Sequence, residues 1–393
     1  MEEDRISQLP DDILLLILGK IDIFQAVETT ILSHRWKNLW CLLPSLRFRF
    51  SHLVSSCLSH RDTTAAVHDF HLSFDSTFYV DRKLVEECVL YAINHGVQSL
   101  CLHARCSLRL PEAFISCKTL RELELRQLYC SVEVPGRLSL PNLKSFHLET
   151  HLAFNDDDII MEPFSGLPEL EKLTLIGYCF CIDAFVIKAP KLRVLEITTS
   201  SKVKEIHTPL LTSFRYESNY AWECANVNLP MLEQVYLGIH ETMYCINFLH
   251  DNFMKMLHQL RNATTVSLTL DTLKVLERNC GPFEQTPSPF PNMKCLKVME
   301  GRNGICAVFQ GLLNYLTGTT LYCEVVFSPG VAVVEQISDE DKDNYEKNIA
   351  EDTGLYSDFS DFSDEDVELY SDFSDDNEDI ELYSDSDEDI EFM

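Results

Sequence analysis

Fifteen cysteines and thirteen histidines in a chain of 393 residues are the side chains best suited to metal or nucleophilic chemistry. Their spacing argues against most of it. No Cys-x-x-Cys pair occurs, and the nearest approach to a ligand set is Cys101-Leu-His-Ala-Arg-Cys106, which includes His103. Two thiols and an imidazole suit zinc. Cys101, however, stands between Leu100 and Leu102, where a free thiol packs as a small hydrophobe. Cys179 and Cys181, in a turn after an apolar segment, read the same way. The other histidines are scattered. The chain has no phosphate-cradling glycine loop, no nucleophile elbow and no His-Glu-x-x-His, and its glycines number only 13. The expectation is a protein with no catalytic residue, no metal and no cofactor, hence a binding protein and not an enzyme.

The elements that carry these residues repeat. A six-residue unit, apolar-x-x-apolar-x-apolar, recurs as 97–102, 120–125, 143–148, 170–175, 192–197, 211–216 and 232–237, for example Leu120-Arg-Glu-Leu-Glu-Leu125. The starts are 23, 23, 27, 22, 19 and 21 residues apart, close to the period of leucine-rich repeats. Looser copies stand at 67–72, 263–268 and 293–298. Proline lies two positions ahead of several units, at Pro141, Pro168, Pro190, Pro209, Pro230 and Pro291. Lacking an N–H, it belongs just outside a strand. Each unit therefore reads as turn, short strand and return. The alternation turns the leucines inward and leaves Glu124, His147, Thr174 and Glu196 on the opposite face of a parallel sheet. One solenoid is expected over residues 65–330, irregular because the repeat lengths are uneven.

Ahead of it lies a compact apolar segment. Pro10 suits the first helical position and Asp11 and Asp12 favour the positive end of a helix dipole. Ile13, Leu14, Leu16, Ile17 and Leu18 follow, with Gly19-Lys20 as a stop. A second helix is expected from Asp22, with Gln25 completing a capping box. A third is expected from about Ser33, with Trp36 and Trp40 on one side. Such a unit is too small to bury its apolar surface alone, so it needs the rest of the chain or another protein to pack on.

Leu9-Pro10-Asp11-Asp12-Ile13-Leu14, followed by Leu32-Ser33-His34-Arg35-Trp36-Lys37-Asn38-Leu39-Trp40, resembles the plant F-box in order and spacing. With the repeats behind it, the chain is similar to the plant F-box/LRR-repeat proteins, many of which add an FBD segment. Phe290–Val298 and Gly311–Gly318 resemble the start of one. The expected fold is α/β: a three-helix F-box over 1–50, an irregular leucine-rich-repeat solenoid over 65–330 with a degenerate FBD-like end, and a disordered acidic tail over 335–393. The resemblance implies binding of a SKP-family adaptor, and through it of cullin and RING subunits, with Leu9, Pro10, Ile13, Ile17, Val27, Ser33, Trp36 and Leu39 at or near the contact. Some of these must also hold the helices together.

The formal charge of −30 is unevenly spread. From Glu335 onward 25 acidic residues face 2 basic ones, a net −23 that leaves −7 for residues 1–334. Such a segment buries too little apolar surface to offset its ordering entropy and is expected to be disordered. Ser363, Ser384 and Ser386 each precede an acidic residue by three places, the pattern of acidophilic kinase sites. A polyanion repels the phosphate backbone, so nucleic acid is not an expected partner. With no signal peptide and no apolar run of membrane length, the protein is expected inside the cell, in nucleus or cytoplasm, and not in a membrane. The expected function is that of a substrate receptor in an SCF-type ubiquitin ligase, with an unidentified protein target on the repeats. Two other readings stand beside it: an interaction scaffold whose F-box-like helices only cap the solenoid, and a chaperone of basic proteins acting through the tail.

Overall fold

All ten apolar hexamers become strands, each starting at the third residue of its unit. The computed structural model describes residues 6–334 apart from 7, 75–78, 127–130, 135, 155–161, 178–183, 199–201, 219–223, 225, 228, 241–245, 280–286, 302–306, 319–322 and 330. The strands form one parallel sheet of twelve, in chain order across the sheet. They are β1 (Ser45–Phe48), β2 (Asp69–Ser73), β3 (Ser99–His103), β4 (Glu122–Arg126), β5 (Ser145–Glu149) and β6 (Lys172–Ile176). The sheet continues with β7 (Val194–Thr198), β8 (Ser213–Ser218), β9 (Gln234–Ile239), β10 (Thr265–Thr269), β11 (Cys295–Met299) and β12 (Glu324–Phe327). The expected disorder of the tail and its three serines, as well as Cys179 and Cys181, lie outside the described residues.

The prolines act one step ahead of the strands. In residues 140–143 the Leu143 N–H donates to Leu140 O at 3.2 Å, with Pro141 second in the turn, and the same bond closes Leu170 on Leu167 and Leu192 on Ala189. A fixed φ near −65° suits that position. The next contact sets the register. Lys144 N–H and Ser145 N–H both donate to Arg121 O, at 2.8 and 3.1 Å, and Glu171 and Lys172 do the same to Lys144 O. Paired donations of this kind run from Pro44 O to Thr264 O, so each repeat hangs on one carbonyl of the repeat before it.

That register stacks the inward side chains into two apolar columns. Leu46, Phe70, Leu100, Leu123, Phe146, Leu173, Leu195, Phe214, Val235, Val266 and Leu296 are aligned neighbour to neighbour, and all are buried. The second column runs from Phe48 through Leu125 and Leu148 to Val298. Full burial of one such side chain is worth about 1.5–3 kcal/mol. Short return strands and helices complete the core. The returns form smaller parallel sheets, such as Leu108–Arg109 with Val132–Val134 and Leu152–Phe154. Phe164 sits between Phe146 and Phe185 in edge-on contacts at 6.3 and 6.2 Å, an arrangement favoured by ring quadrupoles.

At the N-terminal end, helix α1 (Asp11–Leu18) starts one residue later than the sequence suggests. Pro10 is its N-cap, with extended ψ of 152°, and its carbonyl receives the Ile13 and Leu14 N–H groups. Helix α2 (Ile23–Glu28) carries the expected capping box: Asp22 Oδ1 accepts from Phe24 N–H at 2.8 Å, and Gln25 Oε1 from Asp22 N–H at 3.3 Å. The third helical segment is a succession of 3-10 turns at Thr29–Ile31, Trp36–Asn38 and Trp40–Leu42. Leu14, Leu18, Ile23, Ala26, Trp36, Leu39, Trp40 and Leu43 join the same core as the sheet.

Strand β1 follows immediately and pairs with β2, so the N-terminal helices run directly into the solenoid. A buried arginine locks the junction. Arg61, after helix α3 (Val54–His60), is 4 % exposed. Its guanidinium donates to Leu43 O, to Ala65 O at 3.4 Å, to Ala66 O at 3.3 Å and to the Tyr91 hydroxyl at 3.0 Å. Tyr91 belongs to α4 (Arg82–Asn94), which packs Val85, Cys88, Val89 and Ala92 inward.

Candidate functional site

Two surfaces stand out, one on the N-terminal helices and one on the open face of the sheet. From Ile13 to Leu18 helix α1 is apolar all round, so burial decides which residues remain available. Leu14 and Leu18 face the core, whereas Ile13, Leu16 and Ile17 are 41 %, 64 % and 46 % exposed. These three lie at i, i+3 and i+4 and share a helical face. Ile31 and Leu32, closing the first 3-10 turn, are 87 % and 63 % exposed. Arg35 brings this region to the start of α1: its Nε donates to Asp11 Oδ1 at 2.7 Å and its Nη2 to Leu9 O. Nine of the fifteen large exposed apolar side chains among the described residues fall within the first 50 positions. An apolar concentration of that kind marks an interaction surface.

Of the residues expected at an adaptor contact, Pro10, Ile13, Ile17 and Ser33 are exposed. Leu9 and Val27 are half-buried against the core. Trp36 and Leu39 are enclosed in it, where they hold the turns together. The sequence reading passed over Leu16, Phe24, Ile31 and Leu32, all exposed. The i+3 spacing of Leu16 from Ile13 was the available signal; for the other three none separates surface from core.

On the open face of the sheet a column of outward residues runs Arg47, His71, Cys101, Glu124, His147, Thr174, Glu196, Arg215, Tyr236, Ser267 and Lys297. Cys101 is thus not a core thiol. It is half-buried on the polar face, with its Sγ 3.8 Å from His71 Nε2. Cys106, in contrast, is buried in the core. Among the described residues no group of three or more His, Cys, Asp or Glu is placed to hold a metal ion. Burial, with Glu124 nearby, pushes the Cys101 thiol up to about 12, so it stays protonated. Further along the face, Arg215 stacks on Tyr236 at 3.7 Å and pairs with Glu217 at 2.9 Å. His240, nearly buried, lies between Asp271 at 2.9 Å and Glu217 at 3.4 Å. These contacts stiffen the surface around β8, β9 and the N-terminus of Leu270–Asn279.

Known protein families match the same two segments of the chain. Residues 6–48 match the F-box domain model, and residues 85–277 match the model of the LRR repeats of FBD-associated F-box protein At5g56370. The chain's F-box and its repeats are both similar to those of F-box/LRR-repeat proteins. Among its relatives in Arabidopsis thaliana, FBD-associated F-box protein At3g52670 is 29 % identical over 296 residues, covering 70 % of this chain and 68 % of that protein. F-box/LRR-repeat protein At3g26922 is 28 % identical over 304 residues, covering 72 % of this chain and 95 % of the relative. Putative F-box/FBD/LRR-repeat protein At4g13965 is 30 % identical over 247 residues, with 58 % and 56 % covered. The F-box match ends at Phe48, the last residue of β1, so the F-box itself supplies the first strand of the LRR sheet. No helix among the described residues is long and apolar enough to cross a membrane.

Proposed function

We propose that the chain is the substrate-receptor subunit of an SCF-type cullin-RING ubiquitin ligase. The observation that carries this reading is the concentration of exposed apolar side chains on the F-box, around Ile13, Leu16, Ile17, Ile31 and Leu32. In this reading that surface binds a SKP-family adaptor, with Pro10 and Ser33 at its edge and Leu9 and Val27 beneath it. Trp36 and Leu39 support the contact from the core. The adaptor links to cullin and RING subunits, the open face of the repeats holds a protein target, and catalysis resides in other subunits. The contribution of this chain is proximity, which raises the effective concentration of a target lysine at the ubiquitin carrier.

The units are an F-box over 1–50, a solenoid over 65–330 and an acidic tail over 335–393, the tail being phosphorylated at Ser363, Ser384 and Ser386. We assign β11 and the helix Gln310–Thr317 to an FBD-like end. The protein acts inside the cell.

A second reading is favoured by one feature, the continuity of the F-box with the sheet through β1: the helices would then cap the solenoid and engage no adaptor. Co-expression with a plant SKP-family adaptor separates the two. A one-to-one complex on size exclusion, lost in the Ile13→Ala/Ile17→Ala variant whose circular dichroism is unchanged, supports the receptor. A folded chain that forms no complex with any adaptor supports the cap.

A further inference from the structure

The first turn of helix α1 is held from outside the helix. Pro10, its N-cap, makes no side-chain hydrogen bond, so the cap residue does not itself fix where the chain enters. Leu9 N–H closes on Ile6 O at 3.1 Å, and Arg35 adds a second hold. Its Nε donates to Asp11 Oδ1 at 2.7 Å, its Nη2 lies 2.5 Å from the same oxygen, and Nη2 also donates to Leu9 O. One planar guanidinium therefore spans the residue before the cap and the first residue of the helix. Arginine suits that span because its donors stand in a fixed fork.

The helix itself does not favour Arg35 there. A cation at an N-terminus meets the positive end of the helix dipole, so the two acceptors, and not the dipole, hold it in place. The Arg35 and Asp11 side chains are 35 % and 59 % exposed, and an ion pair that wet adds little to global stability. Helix α1 is anchored on the core by Leu14 and Leu18, which are buried. What the clamp fixes is orientation. Arg35 lies three positions after Leu32, and Asp11 two positions before Ile13. The bond thus joins the two stretches of chain that carry the exposed apolar surface, Ile13, Leu16 and Ile17 on one and Ile31 and Leu32 on the other.

We propose that Arg35 is a positioning residue for adaptor binding: its clamp on Asp11 and Leu9 O holds the first turn of α1 against the turns that follow α2, so that both halves of the surface meet the adaptor already aligned. This rests on the receptor reading above. Affinity scales with the fraction of molecules in the binding-competent arrangement, so a looser first turn weakens binding by the factor by which that fraction falls. Arg35 touches no adaptor group in this account, and its whole effect passes through Asp11 and Leu9.

The test uses the full chain, alone and with a plant SKP-family adaptor. In the free chain Arg35→Gln should speed amide exchange at Ile13 and Leu14, whose N–H groups bond to Pro10 O, by about tenfold, while exchange in β8 to β10 holds. Calorimetry should show the same variant binding the adaptor about tenfold more weakly, with a melting temperature within about 2 °C of the parent. Asp11→Asn should cost about threefold, and adding it to Arg35→Gln should cost little more, because residues that act through one contact are not additive. Arg35→Lys should recover part of the affinity, since an ammonium reaches either acceptor but not both. Unchanged exchange at Ile13 and Leu14, or an undiminished affinity in Arg35→Gln, would overturn the proposal. So would costs of the two substitutions that multiply in full, the mark of an arginine that touches the adaptor directly, or a fall in melting temperature beyond about 5 °C, the mark of a merely structural role. A parent chain that binds no adaptor, with exchange still raised by Arg35→Gln, overturns the receptor reading and leaves the clamp on α1 standing.

Discussion

Replacing Arg61 with Met should loosen one end of the sheet and spare the rest. Among the described residues no carboxylate lies within ion-pair distance of this buried guanidinium, which is held by three carbonyls and a phenol. Two of the bonds, to Leu43 O and to the Tyr91 hydroxyl, are charge-assisted contacts worth about 1.5–3 kcal/mol each, while the two beyond 3.2 Å are worth less. Part of that is offset because the variant no longer buries a charge, a cost of several kcal/mol in itself. Net destabilisation of about 3 kcal/mol is expected, a factor of about 100 in the local opening equilibrium. In a repeat array each element leans on its neighbours, so the loss should stay local. Amide hydrogen exchange reads this directly. Protection of Val67 and Asp69–Ser73 should fall by about two powers of ten, and that of β8 to β10 should hold. Arg61→Lys should recover little, because one ammonium cannot span four acceptors. Protection in β2 that stays within threefold of the parent, or that falls evenly from β1 to β11, would refute this account of the junction.

Other perturbations should separate surface from core. Ile13→Ala with Leu16→Ala and Ile17→Ala removes side chains that are about half exposed, so each should cost up to about 1 kcal/mol of adaptor binding, together about 100-fold in Kd by calorimetry, with little change in melting temperature. Leu14→Ala, one position along, should do the opposite and cost about 2–5 kcal/mol of stability in denaturant titration. Gly166→Ala should be poorly tolerated, since a Cβ there runs into the Leu138 carbonyl; soluble yield and melting temperature check it. Burial pushes the Cys88 thiol up to about 12, above its unfolded value near 9, so its share of stability is complete below pH 9 and is lost as pH rises from 9 toward 12. Alkaline melts of Cys88→Ala should be flatter than the parent over that window. His71 titrates in the other sense: its lowered value makes its contribution present above about pH 6.5 and lost as pH falls, and His71→Gln should remove that part of the acid sensitivity.

The repeat strands were legible because alternation has one solution: in Leu123-Glu-Leu125 the leucines must share a face. The same rule places Cys101 outward between Leu100 and Leu102, yet residue type suggested a core thiol, and the register proved the better guide. Strand β1 was missed because Leu46-Arg-Phe48 offers only two alternating apolar residues and directly follows a helical pattern. The return strand Ala184–Lys188 was missed for the opposite reason: Phe185, Val186 and Ile187 are apolar in succession and give no period. In α1 the six residues from Ile13 to Leu18 are all apolar, so the split between Leu14 in the core and Leu16 on the surface emerges only from packing. The capping box at Asp22 was readable because its two bonds are local.

The single carbonyl on which each repeat hangs separates length from alignment. From Arg121 to Lys144 is 23 residues and from Lys144 to Glu171 is 27, yet both steps end in the same paired donation. Residues gained or lost in a return segment alter the back of the array and leave the rows on its open face in step. Descendants of such a gene can therefore lengthen, shorten or swap returns without scrambling the side chains beside Arg47 or Arg215. Each outward position becomes a separately editable letter in a text whose line spacing is fixed by the backbone.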